Sequence, residues 1–557
     1  MKKKIGIIID STQVTKQIYD LIKLSKKSKN YQISTLLINE TSDHNKNIIT
    51  KTFSKIKNYG LIRYLSSIVF KTICKLESIY LKRLAKYSNF YSKFQLHEDE
   101  FEIIKIKPET LKDSLTSEYT KSDLEKIKNA KLDLLISTSI GNLKGEIFTV
   151  CPDGIIAIHY SDDEKNQIGP PGFWEVYDRK PLTGFIIQRF KDELGRADIL
   201  YRGSVATSWF YSLNSANLYE IANPYLHDVI EGITSKKSFL NIQNLQNGTQ
   251  ILVTYPSFIH TIIYLFKTTK ILFEKLYIKF SGRCYRWSVA YQFVNTWSEA
   301  ELNRSTKIPN PQNRFLADPF VIHRNGSHYC FVEDYDLLKK KGSISVYKLS
   351  PESSTDLGTA LVENFHLSYP YLFEFNDELY MCPETNEKQE IRLYKCIDFP
   401  LKWVFHKTLM KDVSASDTSI FAFEDKWWMF TNLDRSSICD HSSQLHLFYG
   451  SNPLVDDWMP HINNPVIFNP LTGRNGGLIK DKNSIYRVYQ RQGFDFYGEA
   501  FGVAKIDKLT TSEYSEKTLF EAEPTFFKGI KGTHTFNFAK GILVLDYVEI
   551  KKKKTGL

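Results

Sequence analysis

Few cysteines, few glycines and no long apolar run mark this chain of 557 residues, which holds only seven Cys, 27 Gly and 19 Pro. An odd cysteine number without any Cys-x-x-Cys spacing excludes a disulfide framework and argues against a zinc site, so a reducing compartment is expected and no metal centre. The start, MKKKIGIIIDS, is basic, but its apolar run is too short for a signal peptide and reads as a first buried strand. Cytoplasm is therefore the default reading, with peripheral contact at the inner face of a membrane as the alternative. The net charge of +10 is spread over many Lys, and the run Lys551–Lys554 reads as a solvated tail. No nucleic-acid-binding motif occurs, so no nucleic-acid partner is expected.

Two stretches bear on the membrane. Gly60–Leu84 is helical, basic and amphipathic, and Gln250–Phe266 runs without Asp, Glu, Lys or Arg before Lys267, Lys270 and Lys275. The second contains Pro256 and is short for a span, so a packed helix is expected there, ahead of a membrane-surface helix and of a true span.

What is abundant is aromatic residue, 14% of the chain, together with a repeat in the second half. ADPFVIHRNGSHYCFVEDYD (317–336), YPYLFEFNDELYMCPETN (369–386), DTSIFAFEDKWWMFTNLD (417–434), NGGLIKDKNSIYRVYQRQ (475–492) and HTFNFAKGILVLDYV (534–548) each give a polar residue, an apolar strand, a turn and an aromatic strand. The leading polar positions are Asp318, Tyr369, Asp417, Asn475 and His534, and Glu333, Glu384, Asn432, Gln490 and Asp546 close the units. Their spacing predicts five blades of a β-propeller, with a β-sandwich as the rival. Residues in one phase of successive blades surround one axis, so two polar rings should face one funnel. Asp318 as base, Glu384 as acid and Asp417 as orienter are the predicted catalytic set, since neighbouring carboxyls in unlike environments divide into acid and base. Arg474, Arg487, Gln490, Tyr497 and His534 are expected at the same mouth as substrate-binding donors, the guanidinium groups suiting a diphosphate or an acidic sugar. Trp427 and Trp428 lie on alternate faces, with core packing the favoured role.

The first half alternates strands and helices: IGIIID, a helix near Lys16–Leu24, QISTLLI, a Lys-rich helical insertion at about 45–95, then LDLLIST (132–138) and GIIAIHYS (154–161). An open α/β sheet is expected over 1–205, a helical connector that includes a strand-like WSVAYQF at 287–293 over 206–300, and the propeller over 301–550. His159 falls at the carboxyl edge of its strand, where such sheets bind ligands.

LDLLISTSIGNLKGEIF, PDGIIAIHYS and IGPPGFWEVYDRKPLTGFIIQRFKDELGRADILYRG resemble the formyltransferase family, which uses N10-formyltetrahydrofolate. His159, Gly169, Pro170, Trp174, Thr183, Gly184 and Asp198 match the family motif, whereas its catalytic Asn is replaced by Ala157 and its loop Asp falls, without gaps, on Gly195. The resemblance implies a catalytic His159 with Trp174 near the substrate. The departures disfavour folate and leave three readings: a rearranged acyl-transfer site using Asp162 or Asp163 with Asp192 or Asp198, a relic that binds a sugar nucleotide or a partner, or other chemistry on the same fold.

In the second half ADPF resembles the first-blade motif of furanosidase-type glycoside hydrolases. ADPF, SYPYLFE, YMCPET, DTSIF, RNGG, YRVYQ and GTHTFN together resemble the N-terminal domain of plant glucosamine inositolphosphorylceramide transferases and bacterial proteins that fuse it to a formyltransferase-like half. That resemblance implies a transferase of surface-polysaccharide or glycolipid biosynthesis with a sugar, nucleotide-sugar or glycolipid substrate. A glycoside hydrolase, an active sugar N-formyltransferase and a non-catalytic glycan-binding scaffold are the alternatives.

Overall fold

The computed structural model describes residues 2–40, 61–110, 116–138, 142–161, 167–190, 197–235, 243–244, 252–253, 255–436, 438–481 and 484–552. The chain divides into two compact units near residue 271.

The N-terminal unit is built on an eight-stranded sheet of β1 (Lys3–Ile9), β2 (Tyr31–Asn39), β3 (Glu102–Ile106), β4 (Leu134–Ser137), β5 (Ile155–His159), β6 (Leu182–Phe190), β7 (Ala197–Ala206) and β8 (Gln243–Asn244). Its spatial order is β8-β7-β6-β5-β4-β1-β2-β3. The five strands from β3 to β5 are parallel, and β6, β7 and β8 add antiparallel to one edge. Burial on both faces explains the unbroken apolar run of β1, in which Ile5, Ile7, Ile8 and Ile9 are all buried.

The helices of this unit are α1 (Lys16–Lys27), α2 (Leu61–Lys82), α3 (Lys121–Asn129), α4 (Phe173–Asp178), α5 (Tyr211–Thr234) and α6 (Phe258–Phe280), which runs on past the boundary between the units. Between β4 and β5 the chain makes a single 3₁₀ turn, Glu146–Thr149. Among the described residues no helix is long and apolar enough to cross a membrane.

The second unit is five antiparallel sheets arranged as blades. Blades 1 to 4 begin with the innermost strands Arg314–Arg324, Ser368–Phe375, Ala415–Phe423 and Arg474–Asp481. Tight turns with positive φ at Asn325-Gly326 and Asn376-Asp377 join the inner hairpins, as the twist of a two-residue hairpin requires. Blade 5 is made from two distant segments: Phe536–Ala539 and Ile542–Lys552 supply its inner strands, and Arg283–Phe293 and Thr306–Lys307 its outer ones. Arg283–Phe293 pairs with Ile542–Lys552 along all eleven residues. The stretch expected as a helical connector therefore contains a propeller strand, because HTFNFAKGILVLDYV folds into only two strands and the blade needs more.

Side chains bridge each pair of neighbouring blades. The Tyr369 amide donates to Asp318, the Tyr369 hydroxyl meets Ser419 at 3.0 Å, and Asn475 Nδ2 donates to the Asp417 carbonyl at 2.8 Å. Asn537 closes the ring, donating to the Leu478 carbonyl at 3.5 Å and accepting from the Val321 amide at 3.0 Å. A sandwich would not place blade 5 between blades 4 and 1.

Candidate functional site

Each leading polar residue of blades 1 to 4 sits at a break in strand register: between Ala317 and Phe320, Ser368 and Tyr371, Ser416 and Ser419, and Asn475 and Gly477. At Asp318, Tyr369 and Asp417 the backbone is left-handed, with φ of 47°, 47° and 53°. Such a conformation costs about 1–3 kcal/mol at a non-glycine residue, and as a bulge it re-aims the side chain. The repeated bulge turns these side chains toward the common axis. On the second strands, Glu333, Glu384, Asn432 and Gln490 lie opposite Ala317, Ser368, Ser416 and Arg474, so the second ring is held beside the first.

The propeller brings together Asp318, Glu384, Asp417, Arg474, Gln490, Tyr497 and His534, and it adds Glu333, Asp546, Thr535 and Trp287. Asp318 accepts from the Thr535 hydroxyl at 2.9 Å and from the Tyr369 amide at 3.2 Å, with His534 Nε2 at 3.6 Å from its carboxylate. His534 Nδ1 lies 2.6 Å from Asp546, and its ring stacks on Trp287 at 3.9 Å. Gly498, with φ +65°, passes against this stack, where a Cβ would come within 2.9 Å of His534. Asp417 is held by Arg474 Nε at 2.7 Å and by the Gln490 amide at 2.9 Å. The Arg474 guanidinium lies 4.8 Å from the centre of the Tyr497 ring, and Tyr497 is 41% exposed, which marks the open side of the cluster.

Burial and mutual repulsion decide the protonation of this group. Burial pushes Glu384 up to about 8, with Asp417 adding to it and Arg474 opposing. Asp318 is pushed up to about 6 by burial, against the pull of His534. Glu333 is raised well above the usual carboxylate range by burial and then by Asp318 and Glu384. Burial also raises Asp417, while Arg474 and His534 oppose it. For His534 burial disfavours the charge, but Asp546 and Asp318 outweigh it and raise the pKa above 6.5.

Every one of these shifts raises the folded-state value, so folding takes up protons. The carboxyl contributions are fully present below the unfolded values of 3.8 and 4.5 and are lost as pH rises through about 6 for Asp318 and about 8 for Glu384. The His534 contribution is present below 6.5 and is lost as pH rises through its higher folded value. In thermal melts of the full chain the Tm of the wild type relative to Glu384→Gln should fall as pH rises from 4.5 through about 8; a difference that climbs over the range contradicts this electrostatic account.

Asp318, His534 and Asp546 each offer a ligand atom, all within 4.8 Å of one another, a set that could hold a metal ion. The sequence reading expected no metal centre and did not group these three residues.

Two predicted positions need correction. Arg487 is not at the mouth: it is fully buried, with Nε 2.7 Å from Glu516 on the outermost strand of blade 4 and a further bond to the Thr472 carbonyl at 2.6 Å. Gln490 is present but fully buried, donating to Asp417 and to the Asn475 carbonyl, which makes it a brace for Asp417. Strand parity held the signal, because residues three apart on a strand face opposite sides. Trp428 is core, and Trp427 packs on Phe373 and Phe375. The aromatic surface in the site is Trp287, missed because it lies in the segment assigned to the connector.

In the N-terminal unit, His159 ends β5 at the carboxyl edge of the sheet, and among the described residues its Nε2 has no hydrogen-bond partner. Burial lowers its pKa. Trp174 stands in α4, edge-on to Tyr177 and His260, and Asp198 is paired with Arg189 at 3.6 Å. Asp162, Asp163, Asp192 and Gly195 lie outside the described residues.

The similarity to known proteins falls on the second unit. Residues 285–552 match the family model "Glucosamine inositolphosphorylceramide transferase 1, N-terminal". Glucosamine inositolphosphorylceramide transferase 1 of Oryza sativa subsp. japonica is 36% identical over 211 residues, covering 37% of this chain and 28% of the relative. The Arabidopsis thaliana protein of that name is 37% identical over 213 residues, covering 37% of this chain and 27% of its own. The chain thus spans little more than a quarter of the length of these curated relatives. Among solved structures, a family 117 glycoside hydrolase of Zobellia galactanivorans is 11% identical with a TM-score of 0.30, covering 47% of this chain and 91% of its own. A GH43_1 enzyme of Xanthomonas citri is 10% identical with a TM-score of 0.33, covering 44% and 89%.

Proposed function

We propose that the propeller is the catalytic half of a carbohydrate-active transferase of surface-polysaccharide or glycolipid assembly. The observation that carries this reading is the meeting of three carboxyls in unlike surroundings: burial and Asp417 push Glu384 up to about 8, burial pushes Asp318 up to about 6 against the pull of His534, and Arg474 Nε holds Asp417 at 2.7 Å. In the reaction the donor's anomeric C–O bond breaks and Glu384 protonates the leaving oxygen. The acceptor hydroxyl attacks the anomeric carbon and passes its proton to Asp318, while Asp417 and Arg474 orient the donor. The name of the relatives, glucosamine inositolphosphorylceramide transferase, supports an inositolphosphoryl lipid as acceptor and a sugar as the transferred group.

Within this reading the N-terminal unit is a formyltransferase-like sheet that no longer uses folate. Its doubly wound order and its histidine at the carboxyl edge support the likeness, but Ala157 stands where an amide donor is needed and Asp198 is tied to Arg189. The residues present do not fit N10-formyltetrahydrofolate chemistry, and calorimetry with that compound should show no saturable binding.

The test of the transferase reading incubates the full chain with nucleotide-sugar donors and inositolphosphorylceramide in detergent and follows the lipid by mass spectrometry. A glycosylated lipid that disappears with Glu384→Gln is the expected result. Free sugar released equally with and without acceptor would assign the same carboxyls to hydrolysis. Retention of cellular function by both Asp318→Asn and Glu384→Gln would leave a glycan-binding scaffold in place of an enzyme.

A further inference from the structure

Helix α2 is apolar on two faces. Phe70, Ile73 and Leu81 are buried, yet Leu61, Leu65, Ile68, Leu76 and Ile79, which share one stripe at helical spacing, are 43–63% exposed. The first half of α6 repeats the arrangement: Thr261 and Tyr264 are buried, and Phe258, Ile259, Ile262 and Phe266 are 46–72% exposed. The two helices are neighbours, joined by the Tyr264 hydroxyl donating to Glu77 of α2. Single exposed leucines are ordinary, but contiguous apolar stripes on adjacent helices mark a surface that something covers.

Along these two segments themselves the exposed charge has one sign. Within 61–83 the sole carboxylate, Glu77, is turned inward to Tyr264 and to the Ser212 amide, and 255–271 contains no Asp or Glu. Lys71, Lys75 and Lys82 on α2, Arg83 directly after it, and Lys270 on α6 are exposed. A second copy of this chain would bring like charges together on such a face. An anionic lipid surface is complementary to both features: apolar stripes enter the boundary of headgroups and acyl chains while lysines along the rim meet the headgroup charge.

We propose that α2 and the first half of α6 dock the protein on an anionic bilayer surface, lying in it without spanning it. The inference stands on these helices alone and is independent of the chemistry assigned to the propeller. The test is co-sedimentation of the full chain with vesicles of phosphatidylcholine, with and without phosphatidylserine, in the absence of any sugar substrate. Binding to the anionic vesicles should be tighter by roughly ten-fold or more, given about 1 kcal/mol for each basic residue at the surface, and should weaken as salt is raised. Ile259→Glu with Phe266→Glu replaces exposed positions, so circular dichroism should be unchanged while binding falls roughly ten-fold or more. Lys71→Glu with Lys75→Glu should remove the preference for anionic vesicles. Equal partition of the wild type into both vesicle types, no binding to either, or a wild-type dimer that the Ile259 and Phe266 substitutions dissociate would overturn the proposal, the last by assigning the face to a second copy.

Discussion

Replacing Glu384 by Gln is expected to lower kcat/KM for sugar transfer by about 10²–10⁴-fold, the range a positioned general acid supplies, while donor binding changes by only a few-fold. Gln keeps the shape of the side chain and its contact with Ser416, which hydrogen bonds to Glu384, so loss of the proton is the main change. The pH profile gives a second view of the same group. In the wild type kcat/KM should rise as Asp318 deprotonates near pH 6 and fall as Glu384 deprotonates near pH 8. The variant should lose the descending limb and keep the ascending one. Steady-state rates from pH 5 to pH 9 check both limbs, and an unaltered bell in the variant would show that another group is the acid.

Arg487→Met should destabilise the propeller by about 3–5 kcal/mol, because it leaves a buried carboxylate without its cation. Glu516 is 10% exposed and is bonded by Arg487 through two nitrogens and by the Tyr514 hydroxyl. Removing the guanidinium strands that charge, whereas removing both partners restores an apolar contact of similar volume. Glu516→Leu added to Arg487→Met should therefore recover most of the loss, which thermal melts would read at roughly 2–4 °C per kcal/mol. A substrate-binding arginine would behave differently: activity would fall without loss of stability, and the second substitution would not rescue it.

The ring of leading polar residues was legible in the sequence because the bulge recurs. Asp318, Tyr369 and Asp417 share one phase and one left-handed backbone, and a period carried by geometry appears as a period in residues. Blade 5 was half legible. Its inner pair follows the repeat, but its partner strand Arg283–Phe293 precedes blade 1, and no local periodicity says which distant strand completes a sheet. Trp287 was hidden for the same reason. Arg487 was misplaced because its charge suggested the funnel, although its odd separation from Gln490 set it on the other face. The protonation of Glu384 could not be read at all, since it arises from burial and from Asp417, 33 positions away.

Infrared difference titration of the full chain against Glu384→Gln measures the Glu384 carboxyl directly. The wild type should hold that proton through neutral pH and release it near 8, and Asp417→Asn should lower the midpoint, because a carboxylate from blade 3 would no longer repel one from blade 2. Release near the ordinary value of 4.5, or a midpoint indifferent to Asp417, would contradict the convergence of these blades on one cavity.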